Sequence, residues 1–389
     1  MLGGVWLCYM GFGLSMASLA PLVSEIESDL GFSHSAMGTI MGAWQFVYIF
    51  AAIPCGILLD RLGSRWGLAV GALIIGLSGI FRGFAQEYID LLAAVALFGI
   101  GGPLISAGAP KVVSEYFEGA SRGLAMGIYI TGPGIGAMAA LLLTQPLVLP
   151  MLEGNWRLLL QIWGGVSLAA GLFWLLVAKA RPQASDRNEN NATLASLMEI
   201  LDIPAVRLIL LMSVGVFAIN HGMGNWLVEI LQSFGASASR ASALATIPVG
   251  IGILSALTLP RTAVGSRRFS VLTLLFSCSV VASLALLAQP VGIWLYLALV
   301  VEGIAAGSMM TVLVLTLVEV PGVGGKRAGT AGGLFFSAAE IGGVGGPVLL
   351  GVLFHSYGNF NSSLLVLTLL GVLLVLSVLT LRRQLSATV

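Results

Sequence analysis

The chain has 389 residues, of which 58% are hydrophobic and only 9% charged, with a mean hydropathy of +1.00. Soluble domains carry about 25% charged residues, so this chain is expected to be solvated by lipid. Its net charge of +1 gives no electrostatic reason to bind nucleic acid or an acidic substrate.

A spanning helix needs about 20 apolar residues. In chain order, apolar runs separated by polar or Gly/Pro punctuation predict spans at 2–24, 35–59, 66–85, 88–115, 122–149, 157–178, 207–231, 241–259, 269–288, 291–319, 327–354 and 362–381. The first run has no basic residue before it, so it reads as a span and not as a cleaved leader. Cys8, Cys55 and Cys278 each fall inside an apolar run, without disulfide or metal-ligand spacing. The expected fold is all-α and integral to the membrane, with twelve transmembrane helices in two six-helix pseudo-symmetric halves. Residues 1–179 form the first half, 180–206 a polar linker and 207–389 the second half. Within the linker, 194–201 has the pattern of a short amphipathic surface helix.

Basic residues orient the chain. With both termini cytoplasmic, fifteen of the eighteen Lys and Arg lie inside, and only Arg82, Arg157 and Arg240 lie outside. The expected location is a bacterial inner membrane. The halves echo one another. Gly99-Ile100-Gly101-Gly102-Pro103, Glu115 and Arg122-Gly123 in spans four and five are matched by Gly303-Ile304-Ala305-Ala306-Gly307, Glu319 and Arg327-Ala328-Gly329 in spans ten and eleven.

Between spans two and three the chain reads Gly56-Ile57-Leu58-Leu59-Asp60-Arg61-Leu62-Gly63-Ser64-Arg65-Trp66. A turn this charged cannot sit in lipid, and its arginines favour the cytoplasm. It resembles the G-x-x-x-D-R-x-G-R-[RK] loop motif of major facilitator superfamily transporters, with Ser64 at a position that is usually basic. The resemblance extends over the whole chain through span count, central linker and half repeat. It implies a monomeric secondary transporter without a cofactor. In that family the motif forms a cytoplasmic charge network that holds the inside closed. Carried onto this sequence, Gly56, Asp60, Arg61, Gly63 and Arg65 are the gating motif. Asp60 would face the N-terminus of span eleven, and Arg61 or Arg65 would pair with Glu115. Lys111 reads as an anchor that snorkels to the cytoplasm, and Arg82 and Glu87 as a pair near the outer face.

Gly132, Pro133 and Gly136 in span five resemble the glycine–proline motif of antiporter branches of the family. Gly346 and Pro347 close a parallel run in span eleven, so a hinge or packing role is expected in both halves. At subfamily level, Trp44 to Gly83 resembles haem/choline-type carriers and Gly79 to Gly127 resembles cyanate/nitroimidazole-type carriers. Nitrate-type carriers place arginines in spans two and eight, where this chain has none.

Ionisable groups inside a bilayer are costly and are functional candidates by default. At about 1.5 Å per residue, Asn220 and His221 in span seven, Glu302 in span ten and Glu340 in span eleven fall at similar depth. His221, Asn225 and Glu229 recur every four residues and give span seven one polar stripe. Tyr9 in span one and Trp44 and Gln45 in span two complete the expected substrate pathway. Glu302, Glu340 and His221 are the candidates for proton coupling, because a buried carboxyl can load and release a proton near neutral pH.

The expected function is secondary active transport of a small organic solute by alternating access, coupled to protons or to a counter-solute. Two acids with no partner base favour a cationic or zwitterionic solute. A drug/cation efflux antiporter and a non-transporting membrane sensor or receptor are the alternatives. No enzyme is expected. His34, His221 and His355 have no metal-site spacing, and no nucleotide-binding glycine loop is present.

Overall fold

The computed structural model describes residues 1–178 and 194–386. Lys179, Arg181 and Arg187 of the basic set lie outside the described residues. Every regular element among the described residues is helical. Among the described residues, eleven helical stretches are long and apolar enough to cross a membrane: Leu2–Leu30, His34–Arg82, Tyr88–Tyr116, Ser121–Met151, Trp156–Val177, Pro204–Ser233, Ala238–Thr262, Arg267–Leu287, Ile293–Val318, Thr330–Tyr357 and Asn361–Leu385.

The second stretch is two spans. Its 49 residues would reach about 74 Å at 1.5 Å per residue, against a hydrocarbon core of about 30 Å. Gly63 interrupts the helix at φ 76°, ψ 164°, a conformation in which only glycine is unstrained. Span two is therefore 34–62 and span three 64–82, giving twelve crossings. The expected loop between spans two and three is a single-residue break. The helix Leu194–Leu201 is present in the linker.

Gly63 marks one face of the bundle, and Asp29, at the end of span one, marks the other. Span one runs past its expected end. It is helical over Leu2–Ala17, tightens into a 3-10 turn at Ala20–Leu22 with Pro21 at its start, and resumes at Val23–Leu30. Arg82 turns inward from span three to this break. It is 1% exposed, and its Nη1 donates to the Ser15 carbonyl at 2.7 Å and to Ser18 Oγ at 3.1 Å. The partial negative charge of a helix C-terminus is its counter-charge. The expected Arg82–Glu87 pair does not form, because Glu87 instead caps span four in a reciprocal box with Asp90.

Helices in lipid gain little from burying apolar surface against one another, so close approach of small residues drives their packing. A Cβ on Gly13 would overlap the Pro133 carbonyl, and one on Gly136 the Met10 carbonyl, where span one meets span five. A Cβ on Gly132 would lie 3.0 Å from the Trp6 carbonyl. Spans seven and eleven repeat the arrangement. A Cβ on Gly342 would overlap the Val214 carbonyl, and one on Gly346 the Ala218 carbonyl. Span five breaks just before Pro133, between Gly119–Tyr129 and Gly132–Leu143, whereas span eleven stays continuous through Pro347.

Contacts between the first six and last six spans run from mid-depth to the Asp29 face. A Cβ on Gly38 of span two would lie 2.6 Å from the Pro347 carbonyl, and one on Gly42 3.1 Å from the Val344 carbonyl. Ser24 Oγ donates to Glu229 at 2.9 Å, joining spans one and seven. Toward the Gly63 face, Gly56, Gly123, Gly127, Gly332 and Gly333 have no atom within 4 Å of a built Cβ. The described contacts close the bundle on the Asp29 face.

Two outcomes follow for thermal unfolding in detergent. Gly136→Val is expected to lower stability by about 1–3 kcal/mol through backbone overlap. Gly63→Ala is expected to lower it by about 1–3 kcal/mol through strain, with Gly56→Ala near neutral as the control.

Candidate functional site

Helical spacing puts Met41, Trp44, Gln45 and Tyr48 on one face of span two. Trp44 is 6% exposed and Gln45 fully buried, so this face points into the bundle. The Trp44 ring meets Phe98 edge-on at 5.2 Å, Tyr48 at 6.2 Å and His221 at 5.6 Å. Phe12 lies 5.0 Å from Phe98 and 5.6 Å from Tyr9, which stacks on Tyr129 at 5.7 Å. Spans one, two, four and five thus share an aromatic wall. Tyr48 and Ser106 hydroxyls meet at 2.8 Å.

Span seven presents His221 to this wall. Gln45 Nε2 lies 3.2 Å from His221 Nδ1, a pairing that assigns Nδ1 as acceptor and leaves the ring proton on Nε2. Glu340 of span eleven is 5% exposed and joins them around Gly343. A Cβ there would lie 2.6 Å from Glu340 Oε2, 3.2 Å from Gln45 Cγ and 3.4 Å from His221 Cδ2. The absence of a side chain at Gly343 is what lets the three groups meet. Glu340 Oε2 and Gln45 Oε1 are both buried without a hydrogen-bond partner. Buried acceptors in this condition each cost about 1–3 kcal/mol. A proton would remove the charge on Glu340, and donors from a solute would partner the two acceptors.

The polar stripe of span seven lies along the seam with the first six spans. His221 reaches Gln45 and Glu229 reaches Ser24, while Asn225 bonds back to the His221 carbonyl at 2.8 Å. Asn220 Oδ1 is buried without a partner.

Glu302 does not join this layer. It is 3% exposed, and its electrostatic neighbour is Cys278 of span nine. The adjacent Gly303 packs against Pro248 and Ile251 of span eight. Depth arithmetic put Glu302 beside Glu340, but the rotation of span ten turns it toward the outer helices.

In the motif at Gly63, Asp60 pairs with Lys111 Nζ at 2.6 Å. Glu115 accepts from Ser64 Oγ at 2.5 Å. Arg65 Nη2 donates to the Leu175 carbonyl of span six at 3.1 Å, and Arg61 is exposed. The expected Arg–Glu115 pair is therefore absent in this conformation. Lys111, read from sequence as an anchor, pairs with the motif acid. Ser64, the departure from the motif, supplies the contact to Glu115.

Sequence reading missed three parts of the site. Phe98 and Phe12 gave no signal beyond hydrophobicity. Ser106 looked like an ordinary helix serine. An apolar cavity of about 250 Å³ between spans five, eight and ten is lined by Ile130, Thr131, Val249, Ile253 and Gly307 among others. Its lining comes from three helices whose facing sides only packing defines.

The family description Major Facilitator Superfamily matches residues 5–321. The uncharacterized transporter YycB of Bacillus subtilis is 25% identical over 92% of this chain and 88% of its own length. The hexuronate transporter of the same organism is 24% identical over 90% and 87%. A D-galactonate transporter of Escherichia coli is 27% identical over 44% of this chain, a match that spans only 39% of that protein. Among solved structures, the nucleoside transporter NupG superposes with a TM-score of 0.81 at 15% identity, covering 98% of this chain and 99% of that one. A bacterial homologue of the lysosomal transporter Spinster, inward-facing and occupied, superposes with a TM-score of 0.76 at 17% identity, covering 98% and 96%. The chain belongs to the major facilitator superfamily and is a membrane transporter of small organic solutes, not an enzyme.

Proposed function

We propose that this protein is a proton-coupled carrier in which residues 1–179 and 207–389 rock as two halves about the Gln45–His221–Glu340 layer. The observation that carries the reading is the pair of unpartnered buried acceptors, Glu340 Oε2 and Gln45 Oε1, contributed by opposite halves. A proton on Glu340 removes a buried charge. Losing that proton to the open side leaves a carboxylate that a solute cation or water must then solvate. Glu340 is the coupling residue in this scheme, with His221 holding Gln45 in register, and Glu302 is outside it.

The orientation follows from charge. The Gly63 face holds Arg61, Arg65, Lys111 and Arg122, so it is the cytoplasmic face of a bacterial inner membrane, and this conformation is open to the cytoplasm. The protein acts as a monomer. The solute is a small cationic or zwitterionic compound. Its N–H groups meet Glu340 and Gln45, and Trp44 and Tyr9 supply aromatic faces. Arg82 is committed to the end of span one and Lys111 to Asp60, which supports a layer that favours positive charge. A second reading, transport of an organic acid, is favoured by the hexuronate and D-galactonate carriers among the relatives.

Proteoliposome uptake under an imposed pH gradient tests the coupling, after a thermal-shift screen of amines, amino acids and sugar acids has identified a solute. Glu340→Gln is expected to reduce gradient-driven flux by about tenfold or more, the effect of losing 1.4 kcal/mol, while Glu302→Gln retains it. Equal gradient-driven flux in wild type and Glu340→Gln would remove Glu340 from the mechanism. Gly38→Val is expected to hold the Asp29 face open. Reaction of a cysteine placed in the seam with an impermeant maleimide, faster than in the wild-type background, would report it.

A further inference from the structure

The cavity between spans five, eight and ten is walled by both halves of the molecule. Ile130, Thr131 and Gly134 come from span five, Val249 and Ile253 from span eight, and Gly307 from span ten. Among the described residues of the lining, Thr131 alone carries a polar side chain. Its hydroxyl is already engaged, donating to the Ile128 carbonyl at 2.8 Å and accepting from Trp6 Nε1 at 3.0 Å. The lining therefore presents hydrocarbon to a guest. An apolar cavity of about 150 Å³ takes a benzene-sized guest and excludes water, and this one is about 250 Å³.

One side of the cavity is fixed and the other can yield. A Cβ on Gly307 would overlap the Gly252 carbonyl, so spans ten and eight meet main chain to main chain. Ser255 Oγ, one turn on, lies 2.7 Å from the Ile304 carbonyl and 2.6 Å from Ser308 Oγ. These contacts lock the two helices together. Span five meets span eight through the end of Ile253 against Gly134, and that side chain can change rotamer to admit a guest.

The cavity also adjoins the aromatic wall. Trp6, which holds Thr131, lies on span one. Tyr129, two residues before Thr131, stacks on Tyr9. Ring contacts continue through Phe12 and Phe98 to Trp44 and His221. A chain of rings thus joins the cavity lining to the Gln45–His221–Glu340 layer.

We propose that this cavity is the apolar subsite of the solute site. The solute is an amphiphile: its polar head meets the Gln45–His221–Glu340 layer, and its alkyl or phenyl group lies along the aromatic wall and enters between spans five, eight and ten. The subsite rests on the proposed solute layer for the head group alone, and on the lining for the tail. A tail held this way touches both halves, so its binding depends on their relative position.

The test is protection of a thiol in the lining. Val249→Cys is made in the full chain in nanodiscs, with Cys8, Cys55 and Cys278 replaced by Ala. Alkylation of the introduced thiol by N-ethylmaleimide is timed in the presence of straight-chain primary amines and carboxylates, ethyl to octyl. Protection by the amines should begin once the chain reaches the cavity. The half-protecting concentration should then fall about fourfold per added methylene, the effect of burying one CH2 group. In Glu340→Gln it should rise about tenfold or more. Ala306→Leu and Ala256→Leu, which fill the cavity from two different helices, should each weaken octylamine protection by about tenfold or more. An unchanged half-protecting concentration in both overturns the proposal. Equal octylamine protection with and without Glu340→Gln also overturns it, and assigns the cavity to hydrocarbon of the bilayer. Absent or length-independent protection in both series overturns the subsite and leaves the coupling role of Glu340 intact. Length-dependent protection by the carboxylates alone supports the subsite and overturns the cationic-solute reading.

Discussion

Everything else in this bundle depends on backbone touching backbone. Lipid offers no penalty for leaving apolar side chains exposed, so the helices are held by contacts that need close approach. Glycine supplies them at each principal crossing: Gly13 and Gly136 between spans one and five, Gly342 and Gly346 between spans seven and eleven, Gly38 and Gly42 between spans two and eleven. The first two sets build each half, and the third joins the halves on one face only. Among the described residues no comparable contact forms at Gly56 or Gly127.

The polar layer at mid-depth follows from that framework. Gly343 leaves room for Glu340, Gln45 and His221 to converge from three helices and both halves. The aromatic wall from Tyr9 to Trp44 needs spans one, two, four and five at their close spacing. Polar groups that would be expensive in lipid are thus collected along the seam where the two halves meet.

Much of the architecture was legible in the sequence because membrane spans are written as long apolar runs and cytoplasmic ends as basic residues. The Gly63 break was legible as punctuation, though its form was not. A loop and a one-residue helix interruption look alike when only charge and glycine mark them. Trp44, Gln45, His221 and Glu340 were found as intramembrane polar residues, and they do converge. Glu302 was grouped with them by depth alone, and depth does not fix rotation about a helix axis. The pairings at Asp60 and Glu115 differed for another reason. Among the described residues Asp60 meets Lys111 and Glu115 meets Ser64, and neither contact is marked in the sequence by more than residue type.

The contact between spans two and eleven differs in kind from that between spans five and eight. The first is made by Gly38 and Gly42 chiefly against main-chain atoms of span eleven, with the stiff β-branched Val348 beside Gly42. The second is made by the flexible ends of Ile253 and Met138 against Gly134 and Gly250. A flexible side chain can yield by a rotamer change and keep touching while the helices slide. A carbonyl against a glycine has no such travel: half an ångström of separation forfeits much of the attraction. One seam therefore behaves as a latch, engaged or released with little in between, and the other as a bearing that stays lubricated through the stroke.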